Sequence, residues 1–271
     1  MSQPTDRAVL TIAGSDPSGG AGIQADLKTF TVLGVYGGAA ITCLTAQNTT
    51  GVTAVQPVAP GFVRQQVELV LADLPVTHIK TGMIGTAGVA IALGAILRDF
   101  AGELFCDPVL VASDGQPLME AHGLGDFMDH IVANATVITP NLHELAILAA
   151  TPVPDRAAIP AAVQSLLARF PRLRAVVVTG GHLEERDATV SDFLFQPDRP
   201  AIVHEHARQV TRNTHGTGCT FASALAAYHL LTDSYEQAFL QAIVFMDLLL
   251  QQSADHTLGK GAGPLLHHLA R

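Results

Sequence analysis

The sequence predicts an open α/β/α sandwich, in which a mostly parallel sheet is covered by helices on both faces. Short and nearly all-apolar runs, such as Val9–Ala13 and Ala175–Thr179, alternate with helical patterns along the chain. Strands of this kind are typical of a parallel sheet that is buried on both faces. The 271 residues are 48% hydrophobic and include 24 glycines, a composition that suits a large core.

The elements follow in chain order. The predicted strands are Val9–Ala13, Gly38–Leu44, Thr77–Lys80, Leu104–Val109, Thr136–Thr139 and Ala175–Thr179, and Val190–Phe195 with Ala201–His204 is expected to add an antiparallel pair. The predicted helices are Ile23–Leu33, Pro60–Leu71, Ala87–Asp99, Leu142–Ala149 and Ala161–Ala168, followed by two C-terminal helices near Gly216–Leu231 and Ser234–Gln251. Ligands are expected at the carboxyl ends of the strands.

Composition and charge exclude several classes of function. The net charge is −9, and the 15 Lys and Arg residues are scattered, so no basic footprint for nucleic acid exists. Met1–Leu10 lacks the pattern of a signal peptide, and the longest apolar run, around Val89–Leu97, is too short to span a bilayer. The three cysteines form no CxxC pair, which favours a reducing compartment. We expect one cytoplasmic domain over residues 1–271, because no linker interrupts the chain.

A Gly-rich loop, Asn213–Thr220, leads directly into an apolar helical segment. Two glycines allow a tight turn, so the N–H groups of the first helical turn can point together at an anion. Cys219 lies in the same turn, where the helix dipole favours a thiolate. The loop could therefore combine an anion cradle with a base, as phosphoryl transfer requires. The alternative is an ordinary helix start with a buried cysteine.

A second Gly-rich loop, Gly14–Gly22, connects the first strand to the first helix. It is not a P-loop, because Ile-Gln-Ala-Asp stands where Lys-Ser/Thr would follow the last glycine. Its position at the end of a strand nevertheless suits a small ligand. Asp26 would face back toward this loop, although it could also be a helix-surface aspartate.

Two carboxylates follow predicted strands. Asp107 comes after Leu104–Cys106, and Glu144 follows Val137–Thr139. Carboxylates at such positions could hold Mg²⁺ together with waters and nucleotide phosphates. The alternatives are that Asp107 caps a turn and that Glu144 belongs to a capping box begun by Asn141.

Seven segments resemble the hydroxymethylpyrimidine and phosphomethylpyrimidine kinases of thiamin biosynthesis, members of the ribokinase-like superfamily. The resemblance extends from about Thr11 to Pro264 and keeps the motif order of the family. It implies the same sandwich fold, ATP and Mg²⁺ as cofactors, a small pyrimidine as acceptor, and paired subunits as a homodimer. The segments are Thr11–Phe30, Ala46–Val52, Lys80–Met83, Asp107–Val109, Ile138–Glu144, Gly180–His182 and Arg212–Thr220.

The resemblance also implies roles for individual residues. The expected catalytic group is the base Cys219 with the amides of Gly216, Thr217 and Gly218, and the expected magnesium carboxylates are Asp107 and Glu144. Asp26 and Gln47 would hold the aminopyrimidine edge, with Gly14, Met83 and Val109 packed beside the ring. The nucleotide would contact Asn141, Thr179, Gly181 and Thr217.

Two motifs differ in sequence from those common in the family, so alternative functions remain open. Thr179 stands where relatives commonly have lysine, and Val111–Gly115 reads Val-Ala-Ser-Asp-Gly, with Ser113 and Asp114 in place of the usual residues. Lys80, Arg212 or Lys260 would have to supply the missing cation. The rivals are a non-catalytic pyrimidine-binding protein and a pyridoxal kinase of the same superfamily. The His204-Glu-His206 segment could bind a metal or form a solvated strand face. We favour the solvated strand face, because no third ligand is indicated.

Overall fold

The computed structural model describes residues 6–111, 118–119, 122–181 and 188–270. Within these ranges the chain forms nine strands and eight α-helices, and three short 3₁₀ helices connect them. The strands are β1 (Ala8–Ser15), β2 (Tyr36–Asn48), β3 (Gly51–Pro57), β4 (Val76–Thr81), β5 (Glu103–Cys106), β6 (Val137–Ile138), β7 (Ala175–Val178), β8 (Thr189–Phe195) and β9 (Ile202–Ala207). The helices are α1 (Gly22–Val32), α2 (Pro60–Asp73), α3 (Ala87–Asp99), α4 (Leu124–His130), α5 (Leu142–Leu148), α6 (Ile159–Arg169), α7 (Thr217–Thr232) and α8 (Tyr235–Ser253), and the 3₁₀ helices are Val132–Asn134, Arg156–Ala158 and His267–Leu269.

The strands form one sheet in the order β3-β2-β1-β4-β5-β6-β7-β8-β9. Strands β2, β1, β4, β5, β6 and β7 pair in parallel, whereas β3, β8 and β9 are antiparallel to their neighbours. The predicted, mostly parallel sheet with an added antiparallel pair is thus confirmed. Because the central strands share one direction, the loops that follow β1, β4, β5, β6 and β7 meet at the same edge of the sheet.

Alternate residues of the central strands pack into cores on opposite faces of the sheet. Leu10 and Leu104 belong to the core beneath α2, α3, α4, α5 and α6. Their neighbours Val9 and Phe105 pack instead with α1, α7 and α8. Since successive side chains of a strand point to opposite faces, a central strand covered on both sides must be apolar throughout. This explains the continuous hydrophobic runs in the sequence.

The fold differs from the prediction at three elements. Strand β2 extends to Asn48 and turns into β3, which was not predicted because its residues are mostly exposed and include polar ones. The seven-residue α4 was also missed. The predicted strand Leu104–Val109 ends at Cys106, because Pro108 cannot donate to a ladder. Within the described ranges, no helix is both long and apolar enough to cross a bilayer.

Candidate active site

The predicted site residues gather at the carboxyl edge of the sheet, around the first turn of α7. The two Gly-rich loops touch there through their backbones. Gly216 has φ 82°, a left-handed conformation that favours glycine, and a Cβ at this position would collide with the carbonyl oxygen of Gly20. The glycine is therefore needed for both its conformation and the close contact. The contact fixes the start of α7 against the loop that follows β1.

The first turn of α7 presents backbone amides, as predicted, but Thr217 is directed elsewhere. Both its N–H and its hydroxyl point back to the Thr214 carbonyl, at 3.4 and 3.1 Å. Gly216 has no side chain to cap the helix, and a helix leaves its first N–H groups without intrahelical partners. The amides of Gly218 and Cys219 are therefore the donors best placed to receive an anion.

The surroundings of Cys219 oppose the expected stabilised thiolate. Burial raises the pKa of the thiol to about 12, with the negative charges of Asp107 and Asp26 acting in the same direction and Lys80 opposing them. The thiol also hydrogen-bonds to the Asp107 carboxylate. These surroundings favour the protonated thiol. Cys219 nevertheless lies in the predicted place.

Asp26 lies beneath the site instead of on its surface. It is fully buried, and its carboxylate accepts hydrogen bonds from Lys80 Nζ at 2.9 Å, Ser223 Oγ at 2.7 Å and Thr11 Oγ1 at 2.6 Å. The assignment of Asp26 to the aminopyrimidine edge is therefore corrected, because a buried and fully engaged carboxylate cannot contact a ligand in this structure. The helix-surface alternative is equally wrong.

Lys80 is the partner that sequence reasoning misplaced. Its ammonium group is fully buried between Asp26 and Asp107, and its distance to Asp107 Oδ2 is 3.5 Å. The attraction of Asp26 outweighs the cost of burial, so the pKa of Lys80 is raised. Lys80 therefore links Asp26 and Asp107 beneath the site. It is not a free cation that could replace the lysine expected at position 179.

Asp107 and Glu144 are two buried carboxylates that share limited positive charge. Asp107 Oδ2 accepts no hydrogen bond, and its ion pair with Lys80 Nζ, at 3.5 Å, is longer than the 2.9 Å pair between Lys80 and Asp26. Burial raises the pKa of Asp107, whereas burial together with the charge of Asp107 raises that of Glu144 to about 8. Glu144 also completes the capping box with Asn141, the alternative reading of this motif.

These carboxylates fit a magnesium site. The described residues contain no group of three or more His, Cys, Asp or Glu side chains suited to a metal ion. Mg²⁺ does not require one, because it usually binds through one or two carboxylates together with substrate phosphates and waters. The unpaired Asp107 Oδ2 is an acceptor that such a cation would satisfy.

A small cavity lies between β2 and the segment after β4. Its volume is about 260 Å³, and it is lined by Thr42, Cys43, Val55, Pro57, Met83, Ile84, Gly85, Thr86, Leu118 and Met119. Gly14 lies beside it, since a Cβ there would be 2.8 Å from Cys43 Sγ and 3.4 Å from Met83 Sδ. Val109 is half-buried and hydrogen-bonds to the Asp107 carbonyl. A larger cleft of about 580 Å³ is lined by residues such as Val76 and Gly102, at the opposite edge of the sheet, so we do not assign it to this site.

Gln47 lies next to a histidine–aspartate pair that sequence reasoning did not identify. His215 Nε2 is 2.8 Å from Asp16 Oδ2 and 3.4 Å from the side-chain nitrogen of Gln47. Asp16 also accepts the N–H groups of Ser18, Gly20 and Ala21. An aspartate followed by Ser and Gly at these offsets is a turn signal that could have been noticed. Its pairing with His215 could not, because the two residues are far apart in sequence.

The predicted nucleotide residues lie side by side after β6 and β7. Asn141 and Thr179 form a parallel bridge, and the Thr179 N–H donates to the Pro140 carbonyl. The carbonyl of Gly181 accepts a hydrogen bond from Arg208, at 2.9 Å. Arg208 was not predicted to reach this loop. Arg212 and Lys260 are exposed, and Arg212 donates to the Gly259 carbonyl.

The expectation of a solvated histidine face on β9 is wrong for His206. The His206 ring bridges Asp247 Oδ1 at 2.8 Å and Asp192 Oδ2 at 3.2 Å. Asp192 in turn accepts the Gly180 N–H at 2.8 Å, so this chain of contacts reaches the loop that contains Thr179. His182, Ser113 and Asp114, which the motifs also single out, lie outside the described residues.

Comparisons with known proteins identify the family. The model of the family described as phosphomethylpyrimidine kinase matches residues 16–266. The hydroxymethylpyrimidine/phosphomethylpyrimidine kinase of Rhizobium meliloti (strain 1021) is 38% identical over 264 residues, 97% of this chain and 97% of the relative. The thiamine biosynthesis bifunctional protein ThiED of Geobacter sulfurreducens is 39% identical over 268 residues, and the chain, matched over 97% of its length, spans 52% of that relative.

Solved structures share the fold. The pyridoxal kinase of Staphylococcus aureus in complex with AMP-PCP and pyridoxal superposes with a TM-score of 0.84 at 28% identity, covering 96% of this chain and 93% of the other. The residues that the family model matches, 16–266, contain Asn213–Thr220, Asp107, Glu144 and the first Gly-rich loop from Asp16 onward. The chain therefore belongs to the phosphomethylpyrimidine kinase family.

Proposed function

We propose that this chain transfers the γ-phosphoryl group of ATP to the hydroxymethyl oxygen of 4-amino-5-hydroxymethyl-2-methylpyrimidine, and then to the resulting monophosphate. The observation that carries this proposal is the first turn of α7, where the amides of Gly218 and Cys219 lie beside the Asp107 carboxylate, whose Oδ2 accepts no hydrogen bond. An anion cradle next to a site short of positive charge suits a magnesium-bound triphosphate. The relative from Rhizobium meliloti, a hydroxymethylpyrimidine/phosphomethylpyrimidine kinase, supports this acceptor.

The acceptor side consists of the cavity near Met83 and the side chain of Gln47. A pyrimidine ring is apolar on both faces and polar along its edge, so a mostly apolar cavity with a few polar groups suits it. Gly14, Met83 and Val109 would pack against the faces of the ring, and Gln47 would bind its edge. Asp26 acts indirectly, because it holds Lys80 below the site.

The nucleotide side consists of Asn141, Thr179, Gly181 and the start of α7. Asp107 and Glu144 would hold Mg²⁺, which supplies positive charge to the phosphates when it is bound. The amides of Gly218 and Cys219 would stabilise the charge that builds up on the transferred group. Because the transition state is loose, positioning and charge stabilisation provide most of the catalysis.

In the transfer step, a bond forms between the acceptor oxygen and the γ-phosphorus while the bond from that phosphorus to the bridging β,γ-oxygen breaks, and ADP leaves. The hydroxyl proton must depart, and Cys219 is the proposed acceptor. Because these surroundings favour the protonated thiol, its own proton must leave first. We assign that proton to solvent, because the hydrogen-bond partner Asp107 is assigned to Mg²⁺.

An assay of phosphoryl transfer with Mg-ATP tests the proposal directly. Hydroxymethylpyrimidine, its monophosphate and pyridoxal are compared in parallel, and we expect turnover of the first two. Turnover of pyridoxal alone would favour a pyridoxal kinase, an activity carried by the similar structure of the S. aureus protein. Tight binding of the pyrimidine without turnover would instead favour a non-catalytic binding protein.

The variant Cys219→Ala tests the base. Turnover should fall by about two to four powers of ten, the usual contribution of general acid–base catalysis, while pyrimidine binding persists. Cys106→Ala is the matched control, because this buried thiol packs in the core and should alter stability but not the chemical step. Near-wild-type turnover of Cys219→Ala would remove Cys219 as the base and leave it a packing role.

A further inference from the structure

His215 links the two Gly-rich loops to Gln47. It is only 9% exposed, and a Cβ on Gly20 would collide with its ring. The same nitrogen, Nε2, lies 2.8 Å from Asp16 Oδ2 and 3.4 Å from the Gln47 amide. If His215 Nε2 carries a proton, Gln47 must turn its Oε1 toward it, and if Nε2 carries a lone pair, Gln47 must turn its NH₂ group toward it.

The surroundings of Asp16 place a proton on His215 Nε2. Asp16 accepts hydrogen bonds from the backbone N–H groups of Ser18, Gly20 and Ala21, and from the Ser18 hydroxyl. Burial opposes ionisation of Asp16, but the hydrogen bonds from His215 and the loop outweigh it and lower the pKa to about 2. Asp16 is thus a pure acceptor at neutral pH, so the 2.8 Å contact requires a donor at His215 Nε2.

Only one orientation of the Gln47 amide agrees with this proton. With Gln47 Nε2 toward His215, two donors would meet at 3.4 Å, while the Thr45 hydroxyl lies 3.0 Å from Ser15 O and 3.1 Å from Gln47 Oε1. When the amide is turned over, Oε1 accepts from His215 and Nε2 donates to Thr45, whose hydroxyl donates to Ser15. No two donors then face each other, and the single N–H of His215 Nε2 is shared between Asp16 Oδ2 at 2.8 Å and Gln47 Oε1 at 3.4 Å.

We propose that His215, oriented by Asp16, is the positioning residue that fixes the Gln47 amide and so determines which heteroaromatic ring the site accepts. The remaining lone pair and N–H of Gln47 then face the acceptor in a fixed order. That order matches an exocyclic amine beside a ring nitrogen, the pattern that glutamine binds in a bidentate way on adenine. The inference rests on the proposed function, because it assigns the ring edge to Gln47.

Variants of His215 test the inference through selectivity. His215→Leu should raise the KM for hydroxymethylpyrimidine about tenfold to a hundredfold, the value of a bidentate contact, with little change in kcat or in the KM for ATP. The KM for pyridoxal, which lacks the ring amine, should change much less. His215→Gln keeps an N–H near the position of Nε2 and should recover most of the preference. His268→Leu, an exposed histidine of the same chain, is the matched control.

Nitrogen-15 NMR of histidine-labelled protein gives a readout that needs no substrate. The His215 ring should carry a proton on Nε2 in the wild type and lose this fixed state in Asp16→Asn. A neutral ring protonated on Nδ1 alone would overturn the inference, as would a folded His215→Leu variant with unchanged selectivity.

Failure of the proposed function would appear differently, as a wild type that phosphorylates none of the tested acceptors. Calorimetric binding of the aminopyrimidine to the wild type and His215→Leu then decides the inference. Absent or equal binding would overturn it, and weaker binding to His215→Leu than to the wild type would support it.

Discussion

The two sides of the site neutralise their carboxylates in different ways. We call the part with Asp16 and Asp26 the β1 side, and the part with Asp107, Glu144 and Thr179 the β6 side. On the β1 side, Asp26 is paired with Lys80, and Asp16 with His215. On the β6 side, Asp107 Oδ2 has no hydrogen bond, and the pKa of Glu144 is raised to about 8 by burial and by the charge of Asp107. On the first side each carboxylate has a close basic partner. On the second, Asp107 shares the ammonium group of Lys80 with Asp26, at the longer distance of 3.5 Å.

This difference indicates how binding energy is distributed between the two sides. A side whose charges are already paired is preorganised, so it loses little free energy on ordering around a flat acceptor. A side whose carboxylates share one buried ammonium group gains more from an added cation, and on the proposed function we expect it to favour a magnesium-bound nucleotide over a free one. Four predictions test this comparison.

Removing the buried cation should have the largest effect. Lys80→Met leaves Asp26 as an uncompensated buried charge, and we expect the free energy of unfolding to fall by about 3–5 kcal/mol. Chemical denaturation measures this loss, with Lys260→Met as the exposed control. Adding Asp26→Asn should recover part of the stability, because it removes the unpaired charge. A loss below about 1 kcal/mol in Lys80→Met would mean that the β1 side does not depend on this pair.

The His206 bridge provides the next largest effect. Burial alone would lower the pKa of His206, but Asp192 and Asp247 outweigh it and raise the value to about 9, from 6.5. Because the folded-state pKa is raised, its stabilisation is fully present below about pH 6.5 and is lost as the pH rises through 9. We expect about 2–3 kcal/mol, measured as the difference in unfolding free energy between the wild type and His206→Gln from pH 6 to 9.5. A difference independent of pH would contradict the bridge.

Adding a cation to the β6 side should strengthen nucleotide binding. Thr179→Lys introduces the lysine that the family resemblance implies at this position, and a well-formed charged hydrogen bond adds roughly 1.5–3 kcal/mol, or about tenfold to a hundredfold in ATP affinity. Calorimetry at fixed magnesium concentration measures the change. An unchanged affinity would indicate that Arg208, which contacts Gly181, already serves this role. A weaker affinity would show that the loop is built around threonine.

The smallest effect concerns the metal. Asp107→Asn and Glu144→Gln each remove one carboxylate charge, and the magnesium concentration for half-maximal activity should rise about tenfold, equivalent to about 1.4 kcal/mol. The KM for the pyrimidine should change little. Glu205→Gln on β9 is the control, because this carboxylate is exposed and pairs with Arg156. A magnesium titration identical to wild type for both variants would contradict the assignment.

Elements with a clear hydrophobic pattern were predictable because that pattern is local. The α3 bounds, Ala87–Asp99, agree with the prediction, and α1, α2 and β7 differ by one or two residues at their ends. Strand β3 was missed because an exposed edge strand needs no apolar alternation. Helix α5, also seven residues long, begins at the Asn141 capping box, whereas α4 begins after Gly123 without a side-chain cap and was missed.

The site could be predicted where a short motif determines the local geometry. It could not be predicted where the contacts depend on which strands are neighbours in the sheet. The Gly-rich turn before Cys219 could be found from its spacing. The ion pair of Asp26 depends on β4 lying next to β1, with Thr11 opposite Lys80, which no local pattern specifies. The protonation of Cys219 depends on burial by the whole fold, and burial is not visible in the eight residues of its loop.

The contact between the two Gly-rich loops makes this site a late product of folding. Asp16 and His215 are 199 residues apart, and Asp26 and Ser223 are 197 apart, so both contacts close most of the chain into a loop. Contacts of such long range form slowly, because the entropy of loop closure opposes them until other structure is in place. A chain still being synthesised can assemble β1 through β7 while lacking the residues that complete the anion cradle. On the proposed function, binding of phosphates and pyrimidines therefore requires a docked α7, and we expect ligand binding to report on the finished fold.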